Sequence, residues 1–268
     1  MDVPSSSVRR LIALSLSVAL LLFAAGCGSL GGDQNTFAPE GDVAKDQLDL
    51  FLISLWPAIA ILIAIFGATV YVVIRFRRKS EDEPPPPQVH GNTRLEIIWS
   101  VLPALLLLVL AVPVVTGIIK LGKAPSEDAL RVNVQGFQWQ WRFEYPDLVD
   151  AEGNPLVIIG TPSELPEMHV PVDREITVSL TSVDVIHSFW LPKLVGKLDV
   201  VPGRTNRLPT FKVETPGAYP GQCAEFCGTG HSGMKMTVIA ETEAEFDAWV
   251  SEQLGTESVA AAGPDEVE

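Results

Sequence analysis

The sequence is poor in charged residues, and basic residues are the scarcer kind. Of its 268 residues 19% are charged, with 19 Lys and Arg against 33 Asp and Glu, and the formal net charge is −14. A chain this acidic is unsuited to nucleic acid, whose phosphates require the opposite sign. Hydrophobic residues make up 47% of the chain. Because that share is high for an ordinary soluble domain, the composition predicts segments within a membrane.

Cysteine and histidine are also rare, with three and four residues respectively. An odd number of cysteines does not make a disulfide framework, and the sequence contains no Cys-x-x-Cys-His motif for covalent haem attachment. Cys27 stands alone, whereas Cys223 and Cys227 are close together. We therefore interpret Cys27 as a processing site and the other two as one functional pair.

The first 26 residues have the pattern of an export signal. Arg9 and Arg10 precede a short apolar run at 11–25, and small residues then lead to Cys27. This order resembles a bacterial lipoprotein signal, which implies that Cys27 becomes the lipidated first residue of the mature protein. Plain cleavage, or an uncleaved anchor, is the alternative. Residues 27–48 are Gly-rich and polar, so they are predicted to be a linker.

Two long apolar runs follow, at 50–74 and 97–119, and neither contains a charged residue. Each exceeds the ~20 residues that a helix needs to cross the hydrocarbon core, so residues 49–122 are predicted to form a transmembrane hairpin. The loop at 75–96 carries Arg75, Arg77, Arg78, Lys79 and Arg94. The positive-inside rule puts this loop in the cytoplasm and everything after residue 123 on the outer face.

From residue 130 onward the pattern changes to short alternating runs, at 131–135, 139–143, 175–180, 207–211 and 234–239. A period of two predicts half-buried strands, and the intervening prolines and glycines predict turns. Residues 126–254 are therefore predicted to form an antiparallel β-sandwich or barrel. Thr242 and Glu245 predict a capping box for a closing helix that ends before Gly255. Residues 255–268 are small and acidic, so a disordered tail is expected.

One Gly-rich loop contains the residues with metal chemistry. Residues 221–234 read Gly-Gln-Cys-Ala-Glu-Phe-Cys-Gly-Thr-Gly-His-Ser-Gly-Met, and soft or borderline metal ions select thiolate, imidazole and thioether ligands. Cys223, Cys227, His231 and Met234 supply those donors. A disulfide between the cysteines is the alternative on an oxidising face, and taken alone the donors would also permit zinc or copper storage.

A second histidine from outside the loop is needed, and His187 is the candidate by elimination. His90 falls in the predicted cytoplasmic loop, and His169 lies between prolines, whereas His187 lies in an apolar run typical of a strand. Five soft donors exceed what a tetrahedral zinc site needs. They would instead suit two copper ions with two bridging sulfurs.

Three further segments extend the pattern. They are Leu-Glu-Ile-Ile-Trp-Ser-Val-Leu-Pro at 95–103, Gln-Trp-Gln-Trp-Arg-Phe-Glu-Tyr at 138–145 and Asp-Val-Ile-His-Ser-Phe-Trp-Leu-Pro at 184–192. With the cysteine loop and the hairpin they resemble subunit II of the haem-copper cytochrome c oxidases over most of residues 45–250. The resemblance implies a membrane-anchored all-β protein, in which a two-helix hairpin is followed by a Greek-key cupredoxin sandwich.

The same resemblance implies residue roles. Cys223 and Cys227 would bridge a dinuclear copper centre of the CuA type, His187, His231 and Met234 would complete it, and Glu225 would donate its backbone carbonyl. The Glu225 side chain would also reach a magnesium ion at the junction with subunit I; an exposed loop carboxylate is the alternative. Electrons would enter at Trp139, which could otherwise be a core residue, and protons at Glu96, which could otherwise lie among headgroups.

The function implied is that of subunit II of a bacterial aa3-type oxidase in the plasma membrane, with the copper domain on the outer face. Its electrons would come from a cytochrome c that is soluble, anchored or attached to a bc complex. They would pass to the haems of subunit I, with subunit III as a further partner, for oxygen reduction coupled to proton pumping. The acidic residues Glu144, Asp147, Asp150 and Glu152 form either a docking patch or a merely solvated face.

Three other functions remain as alternatives. A quinol oxidase subunit keeps this fold but loses the copper ligands. A nitrous-oxide reductase shares the copper motif but has a large extra domain and no spanning hairpin. A membrane-anchored copper-binding or assembly protein would bind the metal without transferring electrons.

Overall fold

The computed structural model describes residues 14, 17–18, 32–78, 80, 82, 87–88, 91–161 and 164–255. Cys27, nearly all of the predicted signal peptide, His90 and residues 256–268 of the predicted tail lie outside this part of the chain.

In the described part of the chain, two helices are long and apolar enough to cross a membrane: α1, Asp42–Arg75, and α2, Thr93–Leu121. Most of their large apolar side chains are exposed, as suits contact with lipid or with other membrane helices. Pro57 lies inside α1, and Pro103 and Pro113 lie inside α2. Transmembrane helices tolerate proline where neighbouring groups satisfy the freed carbonyls. The predicted spans fall within these two helices.

Helix α1 begins at Asp42, so the linker prediction for residues 27–48 is wrong at its C-terminal end. The first turns of α1 are anchored to the β-domain: Val43 and Ala44 are buried, and the Ala44 N–H donates to the carbonyl of Leu194 at 3.2 Å. The Asp42 carboxylate accepts from the backbone N–H of Lys212 at 2.8 Å. The first turns of α1 precede the apolar run and are polar. A search for apolar runs therefore does not detect that they are helical.

Residues 130–241 form two five-stranded sheets. The strands are β1 Leu130–Phe137, β2 Gln140–Val149, β3 Pro155–Ile159, β4 Glu167–Pro171, β5 Ile176–Ser182, β6 His187–Leu191, β7 Gly196–Val200, β8 Asn206–Arg207, β9 Gly217–Cys223 and β10 Lys235–Glu241. One sheet has the order β3-β2-β1-β5-β8 and the other β4-β10-β9-β6-β7. A hairpin followed by a cupredoxin-type sandwich is thus confirmed.

Both sheets are mixed, and the prediction of an antiparallel sandwich is therefore wrong in detail. Strand β1 pairs in parallel with β5, and β10 pairs in parallel with β4, while the remaining pairs are antiparallel. The chain changes sheets between β3 and β4 and again before β5, so strands distant in sequence become neighbours. Alternation reports which face of a strand is buried but not the direction of its neighbour.

The core lies between the sheets and is rich in aromatic residues near the cysteine loop. Trp141, Phe143 and Tyr145 alternate along β2 and are fully buried. The Trp141 ring makes an edge contact with Phe189 of β6, with ring centroids 5.2 Å apart. Such contacts hold β6 against β2 and give its first residue a fixed position.

The closing helix, α3, spans Glu243–Leu254 and matches the sequence prediction. The Thr242 side chain accepts from the Glu245 N–H, the Glu245 carboxylate accepts from the Thr242 N–H, and Gly255 ends the helix in the left-handed conformation with φ 64°. Phe246 of α3 is buried in the core, and the helix thereby covers one end of the sandwich.

Candidate metal centre

The loop between β9 and β10 gathers the predicted sulfur donors. Cys223 is the last residue of β9, and its Sγ lies 3.8 Å from the Sγ of Cys227. The Cys227 Sγ is also 3.7 Å from Nδ1 of His231 and 3.8 Å from Sδ of Met234. Both cysteines are free and buried, and Met234 is buried beside them. Cys227 thus lies in contact with three further soft donors.

His187 reaches the cysteines from the first position of β6. This strand pairs with β9, placing Phe189 opposite Cys223. The ligand atoms of His187, Cys223 and Cys227 all lie within 4.8 Å of one another. Nδ1 of the fully buried His187 has no hydrogen-bond partner among the described residues. Burying a polar nitrogen without a partner is costly, so this atom indicates a missing ligand.

The other nitrogen of His187 is held by a carboxylate that the sequence did not single out. Nε2 lies 2.9 Å from Oδ1 of Asp184, and the second carboxylate oxygen accepts from the backbone N–H of Gln138 at 2.7 Å. A carboxylate on the far nitrogen of a metal-binding imidazole is a frequent arrangement, because it fixes which nitrogen is free to bind. The feature of the sequence that could have indicated this role is the position of Asp184, three residues before His187.

The thiols differ in acidity. Burial raises the pKa of the Cys223 thiol, but the nearby His187 imidazole and the Ser188 backbone outweigh this effect and lower the pKa to about 6. Burial and the negative charge of Cys223 raise the pKa of Cys227 to about 12. Without a metal the pair therefore holds one thiolate and one thiol near neutral pH, because adjacent anions repel. A coordinated cation would ionise both.

The donor set fits the copper pair that the sequence implies. Two thiols, two imidazoles and a thioether converge here, and the carbonyl oxygen of Glu225 adds a sixth group 3.2 Å from the Cys223 Sγ. Copper is bound by such thiolate, imidazole and thioether ligands, whereas magnesium and calcium prefer oxygen. The Glu225 side chain itself is exposed.

Trp139 lies against this loop. It occupies the turn between β1 and β2, one residue before the strand begins, so the strand predicted at 139–143 begins late. Its Nε1 donates to the carbonyl of Cys227 at 3.1 Å, and the side-chain amide of Gln138 donates to the same oxygen at 2.7 Å. A Cβ atom at Gly230 would lie 2.5 Å from the Trp139 ring. The half-buried ring is therefore packed directly on the ligand loop.

Exposed apolar side chains flank the centre. Phe226, between the two cysteines, is 76% exposed, and its ring makes an edge contact with the His231 ring at 5.8 Å between centroids. Val183 and Ile186 are exposed in the loop that leads to His187. Large apolar side chains clustered on a surface indicate a contact with another molecule.

The predicted acidic patch is mostly engaged within the domain. Glu144 pairs with Arg142, and Asp147 pairs with Arg131. The Asp150 carboxylate accepts from backbone N–H groups of its own turn. These contacts favour a solvated face over a docking patch.

Glu96 lies far from the centre, in the first turn of α2. Its Oε1 accepts from the backbone N–H of Asn92 at 3.2 Å, while the Asn92 side chain accepts from the N–H groups of Arg94 and Leu95. Glu96 therefore helps to cap this helix. Its role in proton uptake stays a prediction.

His169 lies in β4 and not at the centre. Its ring stacks on Trp249 with centroids 4.1 Å apart, and its Nδ1 is 3.0 Å from a carboxylate oxygen of Glu241.

Comparison with known proteins decides the family. Residues 130–241 match the model of the cytochrome c oxidase subunit II periplasmic domain, and residues 41–116 match that of its transmembrane domain. Cytochrome c oxidase subunit 2 of Bacillus subtilis is 36% identical over 265 residues, covering 94% of this chain and 70% of that protein. The chain belongs to the cytochrome c oxidase subunit II family.

Other members of this subunit II family show its breadth. Cytochrome c oxidase subunit 2 of Alkalihalophilus pseudofirmus is 36% identical over 238 residues, which cover 86% of this chain and 65% of that protein. Quinol oxidase subunit 2 of Bacillus cereus is 32% identical over 246 residues, covering 90% of this chain and 79% of that protein. Because subunits named for different electron donors are about equally similar, the donor has to be inferred from the site.

Proposed function

We propose that this chain is the electron-receiving subunit of a cytochrome c oxidase. It accepts electrons from cytochrome c at a dinuclear copper centre and passes them to the haems of subunit I, where oxygen is reduced to water with proton pumping. The observation that carries the proposal is the convergence of His187, His231 and Met234 on the two cysteine sulfurs, with no hydrogen-bond partner for the His187 Nδ1 among the described residues.

The residues divide the work of holding the metal. Cys223 and Cys227 would hold the two copper ions together with His187, His231, Met234 and the carbonyl of Glu225. When bound, the copper pair would supply an acceptor for one electron. The sandwich contributes rigidity, because Cys223 and His187 lie on paired strands packed on an aromatic core, so little has to rearrange when the charge changes.

Trp139 is where the electron enters. Its half-buried ring lies against the ligand loop, and its Nε1 donates to the carbonyl of Cys227. This hydrogen bond gives a continuous route from the surface to Cys227. The exposed Phe226, Val183 and Ile186 supply apolar contact surface near the centre, and the chain's net charge of −14 suits a basic cytochrome.

Further roles follow from the family. The exposed Glu225 carboxylate would bind a magnesium ion shared with subunit I. Glu96, at the cytoplasmic end of α2, receives protons that enter subunit I. The basic residues of the loop at 75–96 orient the hairpin so that the sandwich lies on the outer face of a bacterial plasma membrane, with subunit III as a further neighbour.

A quinol oxidase role is disfavoured by the site itself. Subunits of that kind keep the fold without the copper ligands, and this chain retains all of them. A copper-delivery protein would need an exchangeable site, whereas Cys223, Cys227, His187 and Met234 are all buried. Burial of the donors thus supports a permanent centre.

The test replaces ligands in the assembled oxidase. Cys223→Ser or Cys227→Ser should abolish cytochrome c oxidation and the purple mixed-valence dicopper spectrum. His187→Ala should do the same, while the matched variant His169→Ala, in the other histidine on a strand, should retain both. Turnover with cytochrome c in either cysteine variant would contradict the proposal, and so would a single-copper or colourless centre in the wild type.

A further inference from the structure

We propose that Asp184 is a positioning residue, which ties the copper ligand His187 and the turn bearing Trp139 into one hydrogen-bonded unit. The inference rests on the dicopper centre proposed above. It concerns how the protein tunes that centre and keeps the surface ring aligned with it.

The carboxylate of Asp184 contacts two separate elements. Oδ1 lies 2.9 Å from Nε2 of His187 and accepts from the N–H of Val185 at 2.6 Å, while Oδ2 accepts from the N–H of Gln138 at 2.7 Å. The hydroxyl of Ser182, at the end of β5, donates to the carbonyl of Val185 and lies 3.3 Å from Oδ1. Both oxygens are thus used, and they join the loop before β6 to the turn between β1 and β2.

The turn completes the connection to the other ligand loop. Gln138, held at its backbone by Asp184, donates its side-chain amide to the carbonyl of Cys227, and so does the indole of Trp139. His187 and Cys227 are therefore linked through Asp184 and this turn, in addition to the pairing of β6 with β9. A shift at Asp184 would be transmitted to both ligands and to the Trp139 ring.

Two effects on the centre follow from this geometry. The hydrogen bond fixes the His187 proton on Nε2 and leaves the buried Nδ1 free to bind metal. The carboxylate charge also makes the imidazole a stronger electron donor, which favours the oxidised centre and lowers its reduction potential. Asp184 should therefore affect the metal itself, in addition to any contact with a docking protein.

A competing role has to be separated from this one. The Asp184 side chain is 28% exposed, so its charge could instead attract a basic electron donor. A docking charge acts on the association step and changes KM and its salt dependence. A positioning residue changes the spectrum, the potential and kcat at saturating donor, with KM little altered.

The experiment compares Asp184→Asn with Asp199→Asn in the assembled oxidase. Both variants remove one negative charge. Asp199 is exposed on β7, and its side chain has no partner in the described part of the chain. Copper content, the visible and paramagnetic resonance spectra, the reduction potential, and KM and kcat with cytochrome c are measured for each.

For Asp184→Asn we expect an altered dicopper spectrum, a higher reduction potential, lower kcat and unchanged KM, with none of these changes in Asp199→Asn. Asp184→Ala should lower copper affinity by about 10- to 100-fold, the usual loss when the partner of a metal-binding histidine is removed. If Asp184→Ala fails to assemble, Asp184→Asn still distinguishes a positioning role from a docking role, because the substitution keeps the side-chain volume and one acceptor oxygen.

Two results would overturn the inference. One is a wild-type spectrum and potential in Asp184→Asn, whether or not KM rises. The other is an equal spectral change in Asp199→Asn. A wild-type oxidase without any dicopper spectrum would refute the proposed function first, and this inference with it.

Discussion

Gly230→Ala offers a test of the Trp139 contact that leaves every donor atom in place. Gly230 has φ −89° and ψ 4°, a conformation open to alanine. The added Cβ would lie 2.5 Å from Cγ and Cδ2 of the Trp139 ring. Ordinary carbon contacts are about 3.5–4.0 Å, so the ring has to move by roughly 1 Å.

The cost can be worked from that displacement. Overpacking of this kind destabilises a domain by about 1–3 kcal/mol. The Trp139 hydrogen bond, now 3.1 Å long, would stretch beyond hydrogen-bonding distance, and such a bond contributes about 0.5–1.5 kcal/mol. We therefore expect a loss of about 1–3 kcal/mol in the free energy of unfolding and slower electron transfer from cytochrome c, with an unchanged dicopper spectrum.

Gly233→Ala is the matched control, since an added Cβ there meets no atom within 4 Å. Thermal melting, the copper spectrum and single-turnover reduction by cytochrome c are measured for both variants. Adding Trp139→Ala to Gly230→Ala should remove most of the stability difference, because the clash is then absent. Equal melting temperatures and equal reduction rates for the two glycine variants would refute the reasoning.

Three further predictions concern other parts of the chain. Met234→Leu should change the reduction potential of the centre. Met236→Leu, at an equally buried position two residues along the chain, should leave the potential unchanged. Electrochemical titration of both variants measures the difference. Thr242→Ala should cost about 1 kcal/mol by removing a helix cap, read from chemical denaturation. The hydrogen bond from Thr242 lowers the pKa of Glu245, so this contribution should be present above the ordinary carboxyl pKa and fade as pH falls; a difference that persists in acid would contradict it. Mass spectrometry of the mature N-terminus should find diacylglycerol on Cys27.

The clustering of the proposed ligands could be predicted because most of them are local in sequence. One loop contains Cys223, Cys227, His231 and Met234, so their spacing along the chain does not depend on the rest of the fold. His187 could be added only because histidines are so few. The two spans could also be predicted from the sequence, since an uninterrupted apolar run of this length is typical of a helix that crosses a membrane.

What could not be predicted depends on partners distant in sequence. The hydrogen bond from the Gln138 N–H to Asp184 joins residues that only the folded sandwich brings together. The parallel pairing of β1 with β5 likewise joins strands that are distant in sequence. The first turns of α1 were missed because their stabilisation comes from the loop at Leu194 and not from their own composition. Glu96 showed a second role, as a helix cap, that became visible only with the backbone of Asn92.

Strand β6 connects the membrane anchor with the metal centre. His187 is its first residue, and the loop just after its last residue, Leu191, receives the start of α1 through the carbonyls of Lys193 and Leu194. At about 3.3 Å per residue, the histidine lies at most roughly 20 Å along the chain from that attachment. In the function proposed above, this short segment would set the height of the copper centre above the bilayer, and with it the distance an electron would travel to a cofactor in subunit I.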